Sequence, residues 1–494
     1  MKKALRHIVS AIAFLLLLAV LINQLSLFLG EKGSSFAPSD FYKYEDGSFD
    51  VVVLGPSTAR NAIYPMQLWE EYGITAYNMT TAAQGIAGSY YMAQEVFRHQ
   101  SPKLLIVDIG MIHQDVSLTD SSFLHYVTDT MPALSPVRWK AILDLNPREF
   151  LQYIFPLDLY HTRWKVLTKI ASEPVVERYK ALGAVVSGQQ TAAVAQTEKA
   201  IDTSVELSGQ SKVYLQKLIE LCEKQGTELM LLTVPTVGVG AITQSSIDNR
   251  RNAAAAVSRF IKPYGIVHLN DFFYGEELGI DPERDTSDGH HMNALGAAKY
   301  TKRIGDYITK RYTLEDHRED SSYSWMNEAK EVYQSYYWKT LLQLSTGMNY
   351  WFDYLENAVQ EEQYLVLLSV GGTSTSRFSA DAARSIMKTG SHQTLKGYGN
   401  YSYLAVIDRG EVIYESDVRS KSVSETWKGE AGGISLELES SASADSPVSR
   451  IRLNGTDYAA SKSGLNVVVY DTKEHKVVDS ISLSLSDGTF TLSR

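Results

Sequence analysis

The chain has 494 residues, 44% hydrophobic and 21% charged, which allows two or three domains with substantial cores and excludes wholesale disorder. A formal net charge of -10, with no clustered Lys/Arg face, argues against a nucleic-acid binder. The single cysteine, Cys222, excludes an internal disulfide, multi-cysteine zinc sites and iron–sulfur clusters.

The first element is an apolar run from Ile8 to Gly30, preceded by Lys2, Lys3 and Arg6. At about 1.5 Å per residue it is long enough to cross a bilayer of roughly 30 Å. Residues 1–31 therefore read as an uncleaved transmembrane signal-anchor, basic end cytoplasmic and the rest of the chain outside. A cleavable signal is the rival reading, since Ser35-Phe36-Ala37 loosely fits a small-x-small site; the length of the run favours the anchor. Residues 32–49 read as a linker.

From residue 50 to about 312, strand-like and helix-like stretches alternate. The strand candidates are 51–54, 75–79, 104–109, 228–234 and 265–269. Between them PMQLWEEYG, GSYYMAQEVFRHQ, SGQSKVYLQKLIELCEKQ and IDNRRNAAAAVSRFIKPYG have helical spacing. The order predicts an α/β fold: a doubly wound parallel sheet between two layers of helices. An atypical insertion, about 112–206, follows the third strand. Its tail, VVSGQQTAAVAQTEKAIDTS, reads as a lid or solvated loop. Cys222 falls on an apolar helix position and reads as a packing residue.

The first strand, VVVL, breaks into Gly-Pro-Ser, so Ser57 sits just beyond a strand's carboxyl end, where open α/β sheets place ligands. A serine hydroxyl needs a base, usually His held by an acid, to become a nucleophile. Of the 11 histidines, His290 and His291 stand out in DTSDGHHMNALGAAKYT, after the last strand and before a closing helix. His7, His99, His268, His317, His392 and His475 read as surface or packing residues; His113, His125 and His161 lie in the insertion and stay open. Asp288 precedes His291 by three residues, a spacing at which a tight turn brings the carboxylate onto Nδ1 and leaves Nε2 facing a hydroxyl. The bland reading makes Asn293 a helix cap and the rest a polar loop. Ser57 at the first strand end favours catalysis.

On these residues the chain resembles the SGNH (GDSL-type) hydrolase superfamily, with GPS at the first strand end in place of Gly-Asp-Ser. The likeness covers about residues 48–310 and is greatest with the membrane-anchored envelope branch, which includes the teichoic acid D-alanine transfer protein and alginate O-acetylation proteins. It implies a flavodoxin-like three-layer α/β/α fold, Ser57 as nucleophile, His291 as general base then acid, and Asp288 as its orienter. It further implies an oxyanion hole from the serine N–H, a glycine after the second strand and an asparagine after the third. Gly85, with Gln84 beside it, is the candidate for the second donor. The third strand is followed by VDIGMIHQD, without Gly-x-Asn-Asp. Either Ser57 N–H and Gly85 suffice, or an insertion residue replaces the asparagine.

His290 is a further candidate substrate contact, as are Arg163 and Trp164 in FPLDLYHTRWKVL; an Arg can clamp a carboxylate or phosphate and a Trp can stack on a sugar. An Arg163–Asp158 pair and a packed Trp are the plainer reading. Asp108 and Asp115 flank the third strand end without a His at metal spacing, so no metal is expected. GGTSTSRFS lacks the P-loop Lys-Ser/Thr pair, and no cofactor is expected.

Residues 313–357 read as a helical connector. Beyond it QYLVLLSV, YSYLAVIDRG, EVIYES, GISLELES, SRIRLNGTDY, LNVVVYDT and KVVDSISL predict a β-rich α+β domain over 358–494, interrupted by the helix SADAARSIMKTG. It resembles the interleukin-like domain of the epithelial–mesenchymal transition inducer family and the stem of protein O-mannose N-acetylglucosaminyltransferase, with the GLNVVVYD hairpin last rather than first. That resemblance implies a non-catalytic glycan-binding module; a β-rich spacer is the alternative. The expectation for the whole chain is an extracytoplasmic, membrane-anchored serine esterase or O-acyltransferase, typically O-acetyl, acting on a cell-envelope or extracellular polysaccharide. Its partners would be the glycan and other membrane proteins of a polysaccharide-modification system. The opposing expectation is a glycan-binding or assembly scaffold with a pseudoenzyme domain.

Overall fold

The computed structural model describes residues 2–30, 35–115, 122–154, 157–168, 177–189, 194–195, 197, 200–240, 242–345, 347–359, 363–373, 378–395, 399–486 and 489–494. Much of the tail expected as a lid, between 190 and 199, lies outside them. The chain divides into two compact units, Met1–Val186 with Thr191–Lys330, and Ser187–Gln190 with Glu331–Arg494.

The first unit begins with helix α1, Lys2–Leu29, 28 residues long. It contains the apolar run, but the expected membrane span is not shown. Among the described residues no helix is long and apolar enough to cross a membrane, and the side chains of Ile8, Ile12, Leu15 and Leu16 in α1 are outside that set. Within 32–49, expected as a linker, Phe41 and Phe49 are instead buried and make ring contacts with Tyr77.

The α/β architecture follows as α1, β1 (Val51–Leu54), α2 (Ser57–Ala62), α3 (Pro65–Tyr72), β2 (Ala76–Asn78), α4 (Ile86–Val96), β3 (Leu104–Asp108), α5 (Gly209–Gln225), β4 (Glu228–Thr233), α6 (Gln244–Ile261), β5 (Val267–Asn270) and α7 (Ala294–Arg311). Among the described residues the strands form a five-stranded sheet in the order β2-β1-β3-β4-β5, every pair parallel. Burial on both faces explains why β1 and β3 are unbroken apolar runs up to Asp108. The order reverses between β1 and β3, and a crevice outside the carboxyl ends of the strands at such a point is where ligands bind.

The insertion after β3 contains short helices, Ser122–Thr128, Pro136–Leu145 and Phe150–Ile154, around a small core of Leu124, Ile142 and Tyr153. His125 stacks on Tyr153 with ring centroids 4.0 Å apart and bonds Asp129, so it serves this core. The insertion is fastened to the end of β2 by Arg178, 2% exposed, which donates to the carbonyls of Phe36, Thr80 and Gly183.

The second unit is β-rich with added helices. The connector contains α8 (Trp325–Leu344) and α9 (Met348–Ala358). There follow β6 (Tyr364–Gly371), α10 (Ala380–Met387), β7 (Tyr403–Asp408), β8 (Glu411–Glu415), β9 (Ser424–Ala431), β10 (Ile434–Ser441), β11 (Val448–Leu453), β12 (Thr456–Asp457), β13 (Gly464–Asp471), β14 (Lys476–Ser486) and β15 (Thr489–Ser493). Among the described residues two antiparallel sheets, β8-β7-β6-β13-β14-β15 and β9-β10-β11-β12, pack face to face. Leu365, Leu404 and Val468 from one meet Leu436, Leu438 and Ile451 from the other in a common core.

Candidate active site

The turn after β1 is shaped by backbone geometry before any side chain acts. Gly55 has φ +134°, and a Cβ there would lie 2.8 Å from the Asp108 Cβ and carbonyl oxygen. Only glycine tolerates both the conformation and the approach of β3. Pro56 then precedes α2 in an extended conformation, so Ser57 opens the helix at the carboxyl edge of the sheet. Asp108, at the end of β3, fastens this turn: it accepts from Thr58 Oγ1 and from Gly110 N at 2.9 Å. Burial pushes the Asp108 carboxyl up to about 6, against the opposing pull of Thr58, Gly110 N and the Arg250 charge.

The second half comes from the loop before α7. Gly289 takes φ +81° and its carbonyl accepts from Gly238 N at 2.9 Å, while Gly240 has no room for a Cβ against the Asp288 carbonyl. Within this braced turn Asp288 Oδ1 accepts from the backbone N–H groups of His290 and His291, at 2.9 and 2.7 Å. Asp288 Oδ2 is 2.7 Å from His291 Nδ1, and His291 Nε2 is 2.7 Å from Ser57 Oγ. The structure thus brings Ser57, His291 and Asp288 into one hydrogen-bonded line. Asn293 also caps α7, accepting from Leu295 N and Gly296 N, so the capping reading of this segment holds alongside the hydrogen-bonded line.

Burial pushes the Asp288 carboxyl up, but the hydrogen bond and charge of His291 and the two backbone N–H donors outweigh it, leaving it well below the ordinary carboxylate range. An ionised Asp288 fixes the His291 tautomer with Nδ1–H toward the carboxylate, so that Nε2 can accept from the serine hydroxyl. The His291 and Asp288 side chains are 25% and 26% exposed, which leaves the line open to a substrate.

The other expected contacts are placed differently. His290 is buried rather than presented to a ligand, and its Nε2 accepts from Arg250 Nη1 at 2.8 Å. Burial first, and the Arg250 charge second, lower its pKa and keep the ring neutral. Gln84 is 1% exposed, and its amide is occupied within its own loop, accepting from Thr81 N at 3.1 Å and donating to Ser89 Oγ at 3.1 Å. It shapes the turn that presents Gly85. Gly85 caps α4, whose first-turn N–H groups have no intrahelical partner, and the loop after β3 passes beside it. Arg163 donates to the Leu29 carbonyl at 2.7 Å, and Trp164 is 60% exposed; neither is joined to the triad by the contacts described.

Arg250, on α6, was not legible as a site residue in the sequence. It reaches Met111 Sδ in the loop after β3 as well as His290, and its charge acts on both Asp108 and Asp288. His113, in the same loop, is pushed down to about 4 by burial and by Arg250, and its Nδ1 is buried without a partner. Among the described residues no group of His, Cys, Asp and Glu is arranged to hold a metal. Compared with protein-family models and with curated proteins, the chain matches none.

Proposed function

We propose that the first unit is a serine esterase or O-acyltransferase of the SGNH type acting on an acylated polysaccharide. The observation that carries this is the Ser57–His291–Asp288 line, with both hydrogen bonds at 2.7 Å, at the carboxyl edge of a parallel sheet. Ser57 Oγ attacks an acyl carbonyl carbon while His291 Nε2 takes its proton. The tetrahedral intermediate collapses, the sugar oxygen leaves with that proton from His291, and an acyl-Ser57 ester remains. Water, or a second sugar hydroxyl deprotonated by His291, then attacks the ester and restores Ser57. Hydrolysis and transfer differ only in this acceptor. The Ser57 and Gly85 N–H groups are the proposed oxyanion donors, worth about 3 kcal/mol each when aimed at the developing charge.

The apolar run in α1 behind Lys2, Lys3 and Arg6 supports a single-pass anchor with the units outside the cell, close to an envelope polysaccharide. The second unit is proposed as a glycan-binding module that keeps the polymer near Ser57. Its partners would then be membrane proteins of the same modification system.

The decisive measurement is acetate release from an O-acetylated polysaccharide, and from a small acetyl ester, by the full chain in detergent. Wild type should release acetate and Ser57→Ala should not. Unchanged release by Ser57→Ala sinks the assignment, and glycan binding without any release supports the scaffold. Binding of glycans by the full chain, lost on substitution within the second unit but kept in Ser57→Ala, would establish the module.

A further inference from the structure

The insertion carries an apolar surface that the triad does not use. Leu151 is 68% exposed, Trp164 60%, Leu167 45% and Val166 43%. Large apolar side chains gathered on so short a stretch mark a surface that something covers. This one adjoins the end of α1. Leu29, in the last turn of α1, is buried against Tyr160 and Leu157, and Arg163 Nη1 donates to its carbonyl. That bond satisfies one of the carbonyls a helix leaves unpaired at its C-terminus, with a cation at the favourable end of the helix dipole.

Several described side chains of α1 are themselves uncovered. Phe14 is 63% exposed, Leu17 70% and Val20 59%, with Phe28 at 51% near the end that meets the insertion. The exposed insertion residues therefore continue an apolar surface past the end of the helix that bears it. Arg163 and Lys165 flank Trp164 in sequence. An indole between two cations, at the end of a long apolar helix, is the composition that settles at the level of lipid headgroups.

We propose that residues 150–154 and 157–168 form a foot lying in the headgroup layer on the outer face of the bilayer that α1 enters. Its occupant is lipid, not a protein partner and not the glycan. This rests on the anchor reading of α1 given above. An interfacial segment of this kind sinks its apolar side about 5–10 Å into the headgroup boundary, so the foot fixes the insertion at a set height on the membrane.

The test uses the full chain in vesicles of phosphatidylcholine and phosphatidylglycerol, with Cys222→Ser as background. A fluorophore is placed in turn at Trp164→Cys, Leu17→Cys and Gln216→Cys, and nitroxide lipids quench either near the headgroups or near the bilayer centre. The probe at 164 should lose most of its fluorescence to the shallow quencher, that at 17 to the deep one, and that at 216, on exposed α5 surface, to neither. If 17 is quenched and 164 is not, the foot is overturned while the anchor stands; a protein cover would then fit the patch. If 164 is quenched and 17 is not, the stretch meets lipid without a span beside it, so the anchor reading fails and the proposal that rests on it falls too; if neither is quenched both fall. Deep quenching at 164 also overturns the headgroup placement. Adding Leu151→Glu and Leu167→Glu should remove most of the shallow quenching at 164 with the unfolding temperature unchanged. Persistence of the quenching would show that the apolar surface is not the contact.

Discussion

Asp288 lies on the loop before α7 and Asp108 at the end of β3, and their surroundings move them in opposite directions. Asp288 is depressed below its ordinary 3.8, so the folded state binds its proton less readily than the unfolded state. Its contribution to stability is present above the unfolded value and is lost as pH falls through the folded one. Asp108 is raised from 3.8 to about 6, so its contribution is present in acid and is lost as pH rises through that value. Denaturant midpoints of Asp288→Asn and Asp108→Asn between pH 3 and pH 8 should therefore diverge from wild type in opposite senses. The deficit of Asp288→Asn should be larger at the neutral end, and that of Asp108→Asn larger at the acid end. Asp288→Asn should also lower the rate of acyl release by about three to four orders of magnitude, because the His291 tautomer is no longer fixed. Arg250→Met removes the second cause that keeps His290 neutral, so His290 should titrate at higher pH than in wild type, as read from its ring proton resonances. Burial, the first cause, remains and keeps it below a free imidazole.

Among elements, the turn between β1 and α2 carries the most constraint for its length. Gly55→Ala should cost about 3 kcal/mol or more, since a Cβ meets both an unfavourable φ and the backbone of β3; thermal unfolding measures this. Arg178→Ala should cost about 2–4 kcal/mol by leaving the carbonyls of Phe36, Thr80 and Gly183 without their charged donor, and should free the insertion from β2, which hydrogen exchange would show. Legibility in the sequence divides along the same lines. The five parallel strands and their helices were readable because each strand is a compact apolar run beside a helical period, with strand boundaries off by at most two residues and helix boundaries by up to four. Ser57, His291 and Asp288 were readable because each sits at a strand end or just before a helix. Arg250 was not: in IDNRRNAAAAVSRF it resembles a solvated charge, and only the fold turns it toward His290. Nor was β9, SETWKGEA, whose residues are exposed or half-buried up to Ala431 and give no apolar alternation. His290 and Gln84 were misread for one reason: both are polar residues beside a site, and both are held by polar neighbours.

At the scale of the molecule, each unit has a core of its own, and this governs how damage spreads. Leu438→Ala opens a cavity in the core between the two sheets of the second unit and should cost that unit about 2–4 kcal/mol. Calorimetry should then show a lowered transition for the second unit and an unaltered one for the first, with acyl release from a small ester unaffected. The distance along the chain between Ser57 and His291 has another consequence. The two are 234 residues apart, one beyond the first strand of the parallel sheet and one beyond its last. A chain emerging from a ribosome or a translocon presents Ser57 early, with no base anywhere near it. On the proposed mechanism Ser57 becomes a nucleophile only once β5 has docked and the following loop has closed on the turn after β1. Nascent and truncated chains should thus be inert toward a fluorophosphonate probe, and a pulse-labelled chain should acquire reactivity toward it in a single late step.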